Sequence, residues 1–147
     1  ILKYEGVVDK FIGDATVAVF GKEVERDDDA VRAVKAALEV QDAIDKMNKE
    51  REARGEIVKL IGLGVNTGIV VAGNMGSTQK MVYTTVGDNV ILADKLCAEC
   101  PGGKVWLSES TYAMVCEVIE CEVKEPLKLK GRAEPFPVFE AIRVIKK

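Results

Sequence analysis

The first apolar positions of the chain fall into two short runs, residues 7–12 (VVDKFI) and 15–20 (ATVAVF), in which β-branched residues are frequent. Gly13 and Asp14 separate the two runs. Short β-branched runs on either side of a tight turn predict a β-hairpin. The carboxylate of Asp14 at its tip is either an ordinary turn residue or a ligand for a metal ion, and the pattern leaves both open.

The next segment has the period of an α-helix. The acidic residues 27–29 supply a cap and negative charge for its first turn, and Gly55 ends it. The apolar positions that recur at helical spacing are Val31, Val34, Leu38, Val40, Ile44 and Met47. The pattern therefore predicts one long helix that ends near residue 54.

Beyond this helix, short apolar runs predict strands and two segments predict helices. The strands are expected at residues 59–65, 69–72, 81–86, 104–107, 119–124, 126–129 and 137–144, and the helices at residues 88–98 and 108–115. Because strands, helices and hairpins interleave without strict β-α alternation, we expect an α+β fold, a mixed β-sheet with helices packed on one face. No linker or repeat divides the chain, so we expect one domain over residues 1–147.

The composition narrows the classes of function. Of the 147 residues, 48% are apolar and 31% charged, and the net charge is −3. Nucleic-acid binding uses clustered Lys and Arg, so the acidic balance predicts no nucleic-acid partner. No apolar run approaches the ~20 residues that span a bilayer, so we expect no membrane contact by this domain. The sequence contains no His, which excludes His-dependent catalytic triads and His-ligated metals.

The four cysteines, Cys97, Cys100, Cys116 and Cys121, have a spacing that must be weighed as a zinc ribbon. Against that interpretation, Cys97 closes a helical pattern and Cys121 lies in a strand-like run, so both pairs belong to ordinary elements. Reduced, partly buried thiols are the preferred interpretation. They lead us to expect a cytoplasmic location.

Four blocks in order carry a family resemblance: VDKFIGDATVAVFG, GLGVNTGIVVAGNMGS, YTTVGDNVILADKL and LKLKGRAEPFPVFEA. They resemble the catalytic domain of class III adenylate/guanylate cyclases, and the resemblance runs from about residue 6 to residue 141. The resemblance implies a ferredoxin-like, palm-like α+β core that pairs head to tail, as a homodimer or as a heterodimer of cyclase domains. It also implies conversion of ATP or GTP to the 3′,5′-cyclic nucleotide and pyrophosphate with two divalent metals, Mg²⁺ or Mn²⁺.

The resemblance makes Asp14 one of the two metal-binding aspartates of the family. Two metals need carboxylates from neighbouring strands, and in the family the other aspartate lies on a first strand about forty residues upstream, which this chain does not contain. We therefore expect a fold that lacks its first strand and a metal site that is half present. Strand alternation argues against Asp9 as a substitute, since it does not bring Asp9 to the tip.

The same resemblance suggests three contacts to the nucleotide. Lys10 corresponds to the family's purine-selecting lysine and Thr84 to its polar partner, a pair found in adenylate-type sites that favours ATP over GTP. Lys130 corresponds to a lysine that contacts phosphate, although a solvated loop cation is an equally good interpretation of that residue.

Two positions depart from the family pattern V-G-D-x-V-N-L-A-x-R-L, which stands here as VGDNVILADKL. Ile91 replaces the family's Asn and Lys95 its Arg, and their spacing puts both on one face of a helix. Ile cannot hydrogen-bond the ribose, and Lys lacks the bidentate fork of Arg. Because losing one transition-state donor costs about 2.7–4 kcal/mol, we expect weak or no activity from this chain.

Three hypotheses follow. The chain is an adenylate-type cyclase domain with low activity, or a degenerate cyclase homology domain that binds a nucleotide or a partner and regulates another process. A relative on the same fold, such as a diguanylate cyclase, is a weaker third hypothesis because no Gly-Gly-Asp/Glu-Glu-Phe turn is present.

Overall fold

The computed structural model describes residues 1–22, 24–77 and 80–145, and for residues 75, 77 and 80–84 it describes the backbone alone. After a short 3-10 helix at Leu2–Tyr4, eight strands and three α-helices follow within these residues. In chain order they are β1 Val7–Ile12, β2 Ala15–Val19, α1 Asp29–Ala53, β3 Leu63–Val65, β4 Val71–Ser77, β5 Lys80–Val86, α2 Asp88–Glu99, β6 Val105–Ser108, α3 Glu109–Val115, β7 Ile119–Leu127 and β8 Phe136–Val144.

The largest sheet has four strands in the order β3-β6-β8-β7. The β3–β6 pair is parallel, whereas β6–β8 and β7–β8 are antiparallel. The hairpins β1–β2 and β4–β5 form two separate two-stranded sheets. The predicted α+β class with a mixed sheet is therefore confirmed.

Helices cover both faces of the four-stranded sheet, whereas the sequence predicted helices on one face only. Val105 and Leu107 of β6 pack in a buried cluster with α1 and α3. Trp106, between them in sequence, packs in a second cluster with Leu96 of α2. Since successive side chains of a strand point to opposite faces, α2 lies on the face opposite α1 and α3.

The strand expected at residues 59–65 was predicted too long, because it begins only at Leu63. Asn48 of α1 holds the preceding segment by bonding the amide nitrogen of Lys59 at 3.1 Å and its carbonyl oxygen at 2.6 Å. These side-chain bonds take the place of strand pairing for the backbone of Lys59.

The two strands predicted at 119–124 and 126–129 are one strand, β7. Pro126 is tolerated within it because β7 is an edge strand, and the pairing with β8 shifts register between Lys124 and Leu127. The hairpin arms predicted at 69–72 and 81–86 are longer than expected, and their connecting residues, 78–79, lie outside the described residues.

The close approach of β3 to α2 depends on a glycine. A Cβ atom added at Gly64 would lie 2.5 Å from the backbone nitrogen of Cys97 and 2.9 Å from the carbonyl oxygen of Ala93. Only a residue without a side chain fits between the strand and the helix at this point. Gly64 therefore sets the distance between α2 and the sheet.

No helix in the described part of the chain is both long and apolar enough to cross a membrane.

Candidate active site

Asp14 lies at the tip of the β1–β2 hairpin, where its side chain is exposed. Gly13 before it has φ 60°, a left-handed conformation that glycine adopts without steric cost. The neighbouring Phe11 and Ile12 are also exposed, at 74% and 50%. The hairpin thus presents a carboxylate beside apolar side chains at its open end.

Strand β1 contains a bulge at Asp9. Val8 pairs with Ala18 and Lys10 pairs with Val17, so Asp9 has no pairing partner of its own in β2. A bulge interrupts the regular alternation of a strand and changes the direction of side chains. Regular strand alternation, on which the sequence prediction for Asp9 depended, is therefore interrupted at this residue.

The carboxylate of Asp9 is fully buried and bonded on several sides. It accepts a bond from the ammonium of Lys22 at 2.5 Å. It also accepts bonds from the backbone nitrogen of Thr85 at 3.2 Å and from its hydroxyl at 3.1 Å. Because its carboxylate is buried and bonded to these partners, Asp9 cannot serve as an exposed metal ligand at the hairpin tip.

Lys10 joins the same group of residues. Its ammonium donates to the carbonyl oxygen of Thr85 at 2.7 Å and lies 3.5 Å from a carboxylate oxygen of Asp9. Thr85 follows Thr84 directly in β5, and the side chain of Thr84 lies outside the described residues. The structure thus brings Lys10 to the strand that carries Thr84.

Helix α2 presents the two departed positions. It begins at Asp88, directly after Gly87, which has φ 137°. Ile91 is 53% exposed and Lys95 is partly buried one turn later. An apolar side chain that is half exposed on this helix can pack against a partner, but it cannot orient a sugar through hydrogen bonds.

The start of α2 is held by a network of amide groups. Asn66 donates to the carbonyl oxygen of Asn89 at 2.9 Å and to its side-chain oxygen at 3.0 Å, and Asn89 donates to the carbonyl oxygen of Ile69 at 2.9 Å. Ser110 of α3 in turn bonds Asn66 and the carbonyl oxygen of Thr67. These bonds fix the helix relative to the loop after β3.

Lys130 is exposed in the turn between β7 and β8. The preceding Leu129 is buried and anchors this turn in the cluster with Leu96. Arg132 lies over the ring of Phe136, 5.4 Å from its centroid. The turn therefore presents cations at the surface while its apolar residues hold it to the core.

A cavity of about 620 Å³ separates the β1–β2 hairpin from the four-stranded sheet. Strand β2 lines one side of it and β3 the other, and α1 closes it with small residues, namely Ala30, Ala33, Ala36 and Ala37. Asp14 also lies on its wall. In the described sheets β2 pairs only with β1, and β3 only with β6, so each strand turns an unpaired edge away from its partner.

The described residues do not complete a two-metal site. Among them no three carboxylate or thiolate side chains are grouped so that they would hold a metal ion. Asp14 supplies one exposed carboxylate, and Asp9 is engaged elsewhere. A pair of metals would need at least one further carboxylate.

The cysteines are free thiols that belong to ordinary elements. Cys97 donates to the carbonyl oxygen of Gly62 and Cys100 to that of Lys104. Burial raises the pKa of Cys100 to about 11, and burial likewise raises the pKa of Cys121 to about 11. Neutral thiols bonded to carbonyl groups are poor metal ligands.

Sequence reasoning missed Lys22 and Thr85, which surround Asp9. The only signal in the sequence is the Asp9-Lys10 pair inside an apolar run, where charged residues are unusual in a regular strand. The bulge that turns both side chains toward Thr85 has no sequence signal that we recognise.

Several known proteins are similar to this chain in sequence or in structure. The adenylate cyclase of Anabaena cylindrica is 30% identical over 148 residues, covering 92% of this chain and 28% of that protein. The adenylyl cyclase CyaB from P. aeruginosa has a similar structure, with a TM-score of 0.88 and 31% identity over 96% of this chain and 74% of that chain. The guanylyl cyclase Cya2 has a TM-score of 0.89 and 30% identity over 98% of this chain and 73% of that chain.

The chain spans about a quarter of the length of the curated relatives it matches. Its identity to an adenylyl and to a guanylyl cyclase structure is nearly equal, so overall similarity does not distinguish the two nucleotides. The family model described as the adenylate and guanylate cyclase catalytic domain matches residues 4–139, which is most of the chain. The chain therefore belongs to the adenylate/guanylate cyclase catalytic domain family.

Proposed function

We propose that this domain converts ATP to 3′,5′-cyclic AMP and pyrophosphate at a site shared between two cyclase domains, at a low rate. The observation that supports ATP is the contact of Lys10 with Thr85, 2.7 Å from ammonium to carbonyl oxygen. It brings the proposed purine-reading lysine to the strand of its proposed partner, Thr84. An ammonium can donate to a ring nitrogen of adenine, and a threonine hydroxyl can accept from the exocyclic amine.

We propose that Asp14 binds Mg²⁺ or Mn²⁺ together with a carboxylate on a strand from outside these residues. That strand would lie in the cavity between β2 and β3, whose facing edges are unpaired in the described sheets. Unpaired strand edges favour the addition of a strand, and the small side chains of α1 leave room for its inward-facing residues. Divalent ions at this place would neutralise charge on the phosphates.

The residues of this chain account for the low rate. Ile91 has no group that can hold the ribose for attack by its 3′ oxygen, so the reacting atoms are poorly oriented. Lys95 and Lys130 retain positive charge for the triphosphate, but Lys95 lacks the fork of the Arg that it replaces. Each missing donor lowers the rate by roughly a hundred- to a thousandfold.

The test is a cyclase assay with ATP and Mn²⁺ on the full protein and on its Ile91→Asn/Lys95→Arg variant, with cyclic AMP measured by mass spectrometry. We expect little product from the wild type and a clear rise for the double variant. Asp94→Asn, an exposed change on the same helix, is the matched control and should leave the rate unchanged. Equal, vigorous activity of the wild type and the double variant would contradict the roles given to positions 91 and 95.

A partner-binding regulatory module is the second candidate. The observation in its favour is the apolar exposure of Ile69, Phe11 and Ile91, at 91%, 74% and 53%. In either case the proposed partner is a second cyclase domain, of the same or another chain. A cyclic AMP yield that stays at background in the double variant would favour the regulatory module. ATP as the substrate supports a cytoplasmic location, because that is where this nucleotide is abundant.

A further inference from the structure

We propose that Asp9 is a positioning residue for base selection, which acts through Lys10 and Thr85. The inference rests on the proposed function, since it concerns how the nucleotide base is read. It also assigns a role to a buried carboxylate that the proposed chemistry does not use. The inference is supported by the bulge in β1 and by the bonds around Asp9.

The bulge directs two consecutive side chains of β1 to the same residue of β5. Asp9 accepts bonds from the backbone nitrogen and the hydroxyl of Thr85, and Lys10 donates to its carbonyl oxygen. In a regular strand these two side chains would point to opposite faces. Both backbone polar groups of Thr85 are therefore held from β1.

The charges around Asp9 are arranged to fix its orientation. Lys22, whose side chain is only 6% exposed, lies on one carboxylate oxygen at 2.5 Å. Lys10 lies 3.5 Å from the other oxygen. A fully buried carboxylate between two ammonium groups has little freedom to rotate, because each alternative position would leave a buried charge unpaired.

This arrangement defines where the Lys10 ammonium can reach. The carbonyl of Thr85 and the carboxylate of Asp9 orient the ammonium from the β5 side. Thr84 directly precedes Thr85 in β5, and α2 begins three residues after Thr85. A change at Asp9 should thus alter the Lys10–Thr84 geometry and with it the discrimination between adenine and guanine.

The test is a double-mutant cycle on the full protein. It compares the wild type, Asp9→Asn, Lys10→Ala and the double variant. Calorimetry measures the dissociation constants of MgATP and MgGTP for each of them. We expect Asp9→Asn to weaken ATP binding about tenfold and to change GTP binding less, so that the ATP-to-GTP ratio falls. The double variant should bind ATP no more weakly than Lys10→Ala alone, within about twofold, because Asp9 acts through Lys10.

Lys22→Met is a second variant of the same group. It removes one ion pair of the buried carboxylate and leaves the bonds to Thr85 and Lys10 in place. Because Lys22 helps to fix the orientation of Asp9, we expect the ATP-to-GTP ratio to fall in this variant as well. If Asp9 only stabilises the fold, Asp9→Asn and Lys22→Met should weaken ATP and GTP binding equally, the ratio should keep its wild-type value, and the proposal fails.

Asp9→Glu keeps the charge and moves the carboxylate by one methylene, which provides a second variant should Asp9→Asn not fold. We expect its ATP-to-GTP ratio to shift, and an unchanged ratio would overturn the inference. Additive losses for Asp9→Asn and Lys10→Ala would also overturn it. Absence of any nucleotide binding by the wild type would instead refute the proposed function, and the inference with it.

Discussion

Replacing Gly64 with alanine should loosen α2, the helix that carries Ile91 and Lys95. The added methyl group would meet backbone atoms rather than flexible side chains, at 2.5 Å from the nitrogen of Cys97 and 2.9 Å from the oxygen of Ala93. Backbone atoms of a helix cannot move singly, so the whole helix must shift away from β3. That shift would disturb the packing of Leu96, which is 1% exposed.

The expected magnitude follows from this geometry. Overpacking of a close contact costs about 1–3 kcal/mol. For a chain of this size each 1 kcal/mol lowers the melting temperature by about 2–4 °C. We therefore expect Gly64→Ala to melt roughly 2–12 °C below the wild type.

Gly73→Ala is the matched control because no heavy atom of the described side chains and backbone lies within 4 Å of a Cβ placed there. Gly73 is in β4 and its φ is not positive, so alanine fits its conformation. This variant should be neutral or stabilised by about 0.4–1 kcal/mol, since alanine restricts the unfolded chain. Thermal melts followed by circular dichroism measure both variants. Wild-type melting of Gly64→Ala, or an equal loss in Gly73→Ala, would refute the proposed limit on the β3–α2 distance.

Three further predictions concern stability, thiol chemistry and assembly. Asn48→Leu removes two hydrogen bonds to the backbone before β3 and should lower the free energy of unfolding by about 1–3 kcal/mol. Urea denaturation measures this change, and an unchanged midpoint would mean that these bonds are not formed in solution. Burial raises the pKa of Cys100 and Cys121 to about 11, so alkylation at pH 8 should modify exposed Cys116 first. Cys100 and Cys121 should react faster as the pH rises from 9 toward 11. Equal alkylation rates of these thiols at pH 8, read by peptide mass mapping, would contradict this prediction. Phe11→Thr should weaken self-association in sedimentation velocity without lowering the melting temperature, because its ring is 74% exposed, and an unaltered dimer would exclude Phe11 from the interface.

Local signals in the sequence located most of the elements. The strand Val7–Ile12 has the predicted bounds because β-branched residues and a Gly-Asp turn define it without distant contacts. Helix α3 was predicted at residues 108–115 and begins after Ser108, whose side chain caps it by accepting a bond from the nitrogen of Thr111. The family resemblance also came from residue order alone and is confirmed over residues 4–139.

Other features depended on distant contacts that no local pattern encodes. The late start of β3 reflects Asn48, whose amide reaches across from α1 to hold Lys59. The presence of helices on both faces depends on which side of β6 each helix packs against. Val105 packs with α1 and α3 on one side and Trp106 with α2 on the other, and only the packed structure shows these contacts. Sequence patterns give the face of an element that is buried but not the element that buries it.

The sequence by itself determined the family, the order of strands and helices, and the chemical types at the candidate site, including the two departures at Ile91 and Lys95. Only the tertiary structure decided that Asp9 is buried between Lys10, Lys22 and Thr85. The physical reason is that a bulge redirects side chains within one strand. A buried charge is stable only where partners from distant parts of the chain converge on it.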